Sequence, residues 1–241
     1  MIKGNKELRR YTTIYPKTVT TINSLDDYKN YGHKLLKQSN NSKLGKVVGK
    51  GAFVKKPLYS LSLVEREMGC PKSCHHWDSC YGNNMPFAHR FRTDKTIVFT
   101  EILRDELFNL HKKHKFGIHI RLHVLGDFFS RDYIKFWNII LMLYPKISIY
   151  GYTAHKPKSM LGNQIKNVIS KIGFDRFAVR FSNANVKLSA NSTEYKPQLI
   201  ASKNVSLKSI PCLEQENKVL NCVSCALCWN KKVENILFYT H

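Results

Sequence analysis

The chain has 241 residues, 43% of them hydrophobic and 12% aromatic, with a formal net charge of +22 and seven cysteines. That is enough apolar material for a packed core and excludes a disordered or collagen-like chain. The charge attracts polyanions such as nucleic acid or nucleotides, although the Lys- and Asn-rich composition also suits an A/T-rich coding sequence.

The start, Met1-Ile2-Lys3-Gly4-Asn5-Lys6, lacks a signal peptide's apolar stretch, and no apolar run is long enough to span a membrane. The expectation is a cytoplasmic protein with no membrane partner. In that setting cysteines serve metal or redox chemistry more than disulfides.

Residues 1–57 read as a basic N-terminal arm, with a short helix within Asp26–Gln38 and a loop over Ser39–Lys46. Residues 58–210 read as the main body. Leu58–Val64 is a strand that leads into Cys70-Pro71-Lys72-Ser73-Cys74-His75-His76-Trp77-Asp78-Ser79-Cys80. Asp94 is placed to cap a helix running to about Lys115. Ile118–Leu125 alternates strictly and closes on Gly126-Asp127. Ser130 caps a helix to about Tyr144, stopped by Pro145. Lys146–Thr153 is a strand, about Lys158–Lys171 a helix broken by Gly173, and Arg176–Phe181 a further strand. Gln198–Ser202 and Val205–Ile210 are weaker strand candidates.

Strands alternating with helices imply a parallel sheet with right-handed crossovers. The units are too few for a closed eight-fold barrel, so the expected fold is α/β: a partial, open parallel β/α barrel. Sites in such folds gather at the C-terminal ends of strands. Cys70, Cys74 and Cys80, then Gly126-Asp127, Tyr152-Thr153 and Phe181-Ser182-Asn183 all follow strands and should share one rim.

Three thiolates can hold an iron–sulfur cluster and leave one position open, or can form a closed zinc site with His75 or His76 as fourth ligand. Asp127 can bind a ligand or cap the next helix, and the two roles are compatible. His119, Arg121 and His123 share one strand face, where Arg121 and His123 can bind a carboxylate or phosphate or relay a proton. His111 and His114 read as surface residues.

Residues 211–241 form a cysteine-rich cap. Cys212, Cys222, Cys225 and Cys228, with two consecutive C-x2-C steps, suit a structural Zn2+ or a second cluster, and Trp229 would cover it.

This order resembles the radical S-adenosylmethionine superfamily, where three cysteines after strand one hold a 4Fe–4S cluster and a Gly-Gly-Glu-like turn follows strand two. The resemblance implies that Cys70, Cys74 and Cys80 hold such a cluster and that S-adenosylmethionine occupies the open iron. It also implies that Gly126, Asp127, Thr153 and Ser182 bind that cofactor and that an electron donor is a partner. The departures are C-x3-C-x5-C in place of C-x3-C-x2-C, Tyr81 after the third cysteine rather than before it, and one glycine with an aspartate at the turn.

A narrower resemblance is to the phage gene-product-88 family. It rests on Asn41-Ser42-Lys43-Leu44, Cys70-Pro71, Cys80-Tyr81, Arg121 with Gly126-Asp127-Phe128, and Pro211-Cys212 with Gln215, Cys222, Cys225, Cys228 and Trp229. A phage origin would place the protein in the host cytoplasm.

The expected function is an iron–sulfur enzyme modifying nucleic acid or a nucleotide. The alternative is a non-enzymatic zinc protein that binds nucleic acid, with Tyr11, Tyr15, Trp77 and Tyr81 available for base stacking. A third reading is an inhibitor that masks a host protein.

Overall fold

The computed structural model describes residues 13–38, 41–66, 69–193 and 209–239. Along them run β1 (Val19–Thr20), α1 (Leu25–Tyr31), β2 (Lys37–Gln38), β3 (Leu58–Ser60), β4 (Arg90–Phe91), α2 (Thr96–Lys113), β5 (His119–Leu122) and α3 (Arg131–Leu143). They continue with β6 (Ser148–Thr153), α4 (Met160–Ile172), β7 (Phe177–Ser182), β8 (Ser189–Thr193), β9 (Ser209–Pro211), α5 (Cys222–Cys225) and β10 (Asn235–Tyr239). No helix among the described residues is long and apolar enough to cross a membrane.

Eight strands form one sheet in the order β2-β3-β5-β6-β7-β8-β10-β9, and β1 pairs with β4 in a small second sheet. Every pairing in the large sheet is parallel except β2 with β3. From β3 to β8 the spatial order follows the chain order. Right-handed crossovers that always step in one direction put their helices on one face of the sheet.

The core reflects this. Ile120, Leu122, Ile149, Phe177 and Val179 pack against Phe99 and Leu103 of α2, Ile134, Trp137 and Ile140 of α3, and Ile165 of α4. Fully burying such side chains stabilises the fold by about 1.5–3 kcal/mol each. The opposite face of the sheet, carrying Leu58, Tyr150 and Ala178, is covered by Val48, Phe53, Val223, Ala226 and Trp229. The cysteine-rich segment thus lies against the helix-free face.

Helix limits follow local chemistry. The Ser130 hydroxyl accepts from the Tyr133 N–H at 3.1 Å, and Ser159 caps α4 by accepting from the Gly162 N–H at 3.1 Å. Asp94 does not cap α2: the helix starts after Lys95 without a side-chain cap, and Asp94 instead accepts from Arg92 Nε at 3.3 Å. The expected helix over Asp26–Gln38 stops early because Gly32 takes the left-handed conformation. That frees the chain to form β2, with both Glu106 carboxylate oxygens accepting from the Leu35 and Leu36 N–H groups at 2.9 and 2.8 Å.

The expected segment limits are crossed by pairing. Strand β2, from the basic arm, lies antiparallel to β3, and β9 straddles the expected start of the cap. Strands β8 and β10 were not expected. Their contact is polar inside: Ser189 Oγ donates to Asn235 Oδ1 at 3.0 Å, and Asn235 Nδ2 donates to Ser209 Oγ at 2.7 Å. Strand β8 therefore lacks an apolar signature. The candidate Gln198–Ser202 lies outside the described residues, as do residues 1–12 with Tyr11, and Val205–Ile210 is described only where β9 begins.

Candidate metal centres

The first cysteine loop hangs from three buried charged residues that the sequence reading passed over. Glu65 and Arg90 are fully buried and meet at 2.9 Å. Arg90 also donates to the carbonyls of Ala88, Gly82 and Met85 at 2.6, 3.0 and 3.2 Å. Arg66 donates from Nε to the Trp77 carbonyl at 3.2 Å and from Nη2 to Asn83 Oδ1. Arg66 also takes a left-handed backbone, φ 66°, four residues before Cys70. Charges embedded in the apolar stretch Leu61–Arg66 were the available signal.

The Cys70 N–H donates to the Arg66 carbonyl at 2.7 Å, and the Cys74 N–H to that of Pro71 at 2.9 Å. Backbone amides at Arg66, His76 and Gly82 favour the thiolates of Cys70, Cys74 and Cys80 respectively. Burial works against them and raises all three thiols, Cys74 to about 11. Cys70 is pushed further by the charge of Asp127 and by Cys80 and Cys74. A bound metal reverses this balance, because a coordinated thiol is deprotonated. His75 is exposed and lies edge-on to His76, whose Nδ1 and Nε2 meet the hydroxyls of Ser79 at 3.2 Å and Ser192 at 2.9 Å. Both nitrogens of His76 are therefore engaged.

Gly126 stands where β5 meets the loop. Its φ is +81°, and a Cβ there would come within 2.7 Å of Leu63 Cβ, so the turn requires glycine. Asp127 is buried. Its Oδ1 accepts from the Phe128 N–H and its Oδ2 from the Ala154 N–H, both at 2.7 Å. It therefore staples the end of β5 to the end of β6, while Ser130 supplies the cap of α3. Burial raises the Asp127 carboxyl; His155, the two amides and Thr153 oppose that rise. Thr153 is buried, and its Oγ1 accepts from the His155 N–H at 3.2 Å. Ser182 ends β7, half-buried, beside Ala190.

Arg121 lies against the rings of Tyr152 and Tyr150, its guanidinium carbon 4.5 and 5.4 Å from their centroids. Its Nη1 donates to the Leu122 carbonyl at 2.5 Å. The groups that act on its charge are Tyr81, Tyr150, Tyr152 and Cys228, with no carboxylate among them. His119 shares this face, packing between Phe53, Tyr150 and Trp229. His123 does not. Its left-handed backbone, φ 54°, turns the ring toward the helices, where Nε2 meets the Tyr133 hydroxyl at 3.1 Å and the ring stands edge-on to Phe128. Burial, then the nearby Arg121 charge, lowers His123 to about 3 and keeps it neutral. The expected alternation fails there because the strand ends at Leu122.

The second group is built from two chain segments. Cys212 follows β9, Cys222 and Cys225 lie on α5, and Cys228 is in a 3-10 turn, Leu227–Trp229. Asn221 and Ser224 form a reciprocal capping box at the start of α5. The Cys222 and Val223 N–H groups donate to the carbonyls of Lys43 and Leu44 at 2.7 and 3.2 Å. Asn41–Leu44 and the Cys222–Cys228 run are thus two halves of one contact. Arg180, fully buried, donates to the carbonyls of Cys228, Val233, Asn230, Leu227 and Ser189 at 2.8–3.4 Å and so closes the cap turn. Gln215 pairs through its amide with both backbone groups of Tyr239, at 2.9 and 3.2 Å.

All seven cysteines are free of disulfides. Among the described residues no three His, Cys, Asp or Glu side chains converge on a single ion-sized point. Within each group the thiols nevertheless lie close enough to act on one another's charge. Tyr81, which follows the third cysteine, is 46% exposed yet within electrostatic reach of Cys70, Cys80, Glu65 and Arg121.

A family model described as gene product 88 matches residues 34–231. No curated protein and no solved structure matches the chain.

Proposed function

The chain belongs to the gene product 88 family, and from the adjacency of Cys70 and Asp127 we propose an iron–sulfur protein of radical S-adenosylmethionine type that modifies a nucleic acid or nucleotide in the cytoplasm. The in-order parallel strands with helices on one face support a partial β/α barrel with the cysteine-rich segment as its cap.

Cys70, Cys74 and Cys80 would each bind one iron of a 4Fe–4S cluster. The engagement of both His76 nitrogens argues against His76 as the fourth ligand of a closed Cys3His zinc site and leaves the exposed His75 as the histidine such a site would use. When bound, the cluster and S-adenosylmethionine supply the reductive cleavage chemistry, with an external electron donor.

The chain supplies placement. Gly126 lets the turn approach Leu63, and Asp127, held by two backbone amides, keeps lone pairs for the cofactor's ammonium group. Thr153 fixes Asp127, and Ser182 marks the far side of the same rim. Arg121, free of a carboxylate and held against tyrosine rings, would take an anionic group of the substrate. His123 braces the end of β5 from the helix side. Cys212, Cys222, Cys225 and Cys228 would hold a second cluster or Zn2+.

The test is anaerobic purification and reconstitution with iron and sulfide. The expected protein is brown, with a visible charge-transfer band that falls in a Cys70→Ala/Cys74→Ala/Cys80→Ala variant, and it retains S-adenosylmethionine in equilibrium dialysis. A colourless protein that takes up only zinc overturns the reading.

The net charge of +22 favours a second reading, a zinc protein that binds nucleic acid without catalysis. It predicts affinity falling by about 10³–10⁵ between 50 and 200 mM salt if about 6–10 phosphates are contacted. Salt-independent or absent binding removes it.

A further inference from the structure

We propose that the hydroxyls of Tyr150 and Tyr152 are hydrogen-bond donors to the thiolate ligands of a metal held by Cys212, Cys222, Cys225 and Cys228. The inference rests on the reading of these four cysteines as a metal centre and extends it to residues outside the cysteine pattern.

Tyr150 and Tyr152 are two apart on β6, so both side chains leave the sheet on the face that the cap covers. The Tyr152 hydroxyl donates to Cys228 Sγ at 2.8 Å. The Tyr150 side chain is 1% exposed, and its hydroxyl has no hydrogen-bond partner. Tyr150 packs in one cluster with Cys228, its ring centroid 4.7 Å from that of Trp229, the residue next to that cysteine. An unpartnered buried hydroxyl costs about 1–3 kcal/mol. A thiolate beside it offsets that cost, because hydrogen bonds to charged acceptors are the stronger ones.

Charge points the same way. Four thiolates around a divalent ion leave a surplus of negative charge. The cations beside them are Arg121, which acts on Cys222 and Cys228, and Arg180, which acts on Cys228 and donates to its carbonyl at 2.8 Å. Both guanidinium groups lack a carboxylate partner among the described residues. Two phenols and two guanidiniums around neutral thiols would be a poor arrangement. Around thiolates on a metal they form an outer shell of donors and counter-charge.

The test uses the full chain with Cys70, Cys74 and Cys80 replaced by Ser, so that the cap is the thiolate site that remains, and anaerobic Co2+ as the probe. The parent should show a thiolate-to-cobalt charge-transfer band. Tyr152→Phe and Tyr150→Phe should each weaken Co2+ binding, measured by chelator competition, by about 10–100-fold. Each should also move the band to lower energy, because a sulfur that loses a hydrogen bond is easier to oxidise. Tyr59→Phe, whose hydroxyl meets His114 at 2.9 Å, should match the parent. If both cap variants match the parent in affinity and band position, the inference is overturned and the metal centre stands. If the parent shows no band, the metal reading of the cap fails and takes the inference with it. Should Tyr152→Phe lose its near-ultraviolet dichroism, Tyr150→Phe decides the question alone.

Discussion

Cys70 and Asp127 stand side by side although they leave different strands, β3 and β5. A Cβ built at Gly69 would lie 3.4 Å from both the backbone N and O of Asp127, and the aspartate's charge pushes the Cys70 thiol up. Asp127→Asn removes that charge. In reduced, metal-free protein, alkylation of Cys70 at neutral pH should then accelerate several-fold, while Cys228, on which the main charges acting are those of Cys212, Arg180 and Cys225, should keep its rate. Peptide mapping after timed alkylation reads both sites; equal rates for Cys70 in parent and variant would contradict the contact.

Glu65→Ala leaves Arg90 and Arg66 without their shared carboxylate in a buried site. Removing one partner of a buried pair costs about 3–5 kcal/mol. Urea unfolding should show that loss, and the cysteine loop should become protease-sensitive, since both arginines bond its backbone or its side chains.

Gly45 has φ +75°, and a Cβ there would overlap Val223 Cγ2 on the cap. Gly45→Ala should destabilise by about 1–3 kcal/mol through overpacking. Val223→Ala should restore part of that loss in the double variant, because it removes the clashing methyl groups. A double-mutant cycle by denaturant titration measures the coupling; strictly additive effects would argue that the two segments do not touch.

Arg180→Met deprives four carbonyls of the cap turn, and that of Ser189 on β8, of their donor. Hydrogen exchange should accelerate over residues 227–233 while α3 and α4 keep their protection. Equal protection of the turn in parent and variant would show that other contacts close it.

Glu106 gives a pH dependence with a definite sign. Burial raises its carboxyl from 4.5 to about 7, with the Leu35 and Leu36 amides opposing. A folded-state pKa above the unfolded one means that the folded protein binds the proton more tightly. Its contribution is therefore complete below pH 4.5 and is lost as pH rises through about 7. The total is roughly 3 kcal/mol at most. Glu106→Gln should flatten the stability profile over this window; an unchanged slope would assign it to other groups.

Local order was legible in the chain. The strand before Gly126-Asp127, the Ser130 cap and the stop of α3, the Gly173 stop of α4, and the clustering of cysteines into two groups are properties of neighbouring residues, and periodicity and turn chemistry report them directly. The motif pair Asn41–Leu44 and Cys222–Cys228 was visible too, but only as two separate strings. Their contact, through the Lys43 and Leu44 carbonyls, depends on the sheet bringing chain ends together.

Tertiary structure alone decided where charge sits. Arg90 and Arg180 look like ordinary surface residues in the sequence, yet like Glu65 and Arg66 they are buried and tie the two cysteine loops. His123 reads as a partner of Arg121 by alternation, and the backbone turn at the end of β5 sends it to the opposite layer. The polar strand β8 and its Ser189–Asn235 contact carry no apolar period, because their partners are hydrogen bonds supplied by a distant strand. Burial and long-range pairing depend on which surfaces meet, and no short window of sequence contains that information.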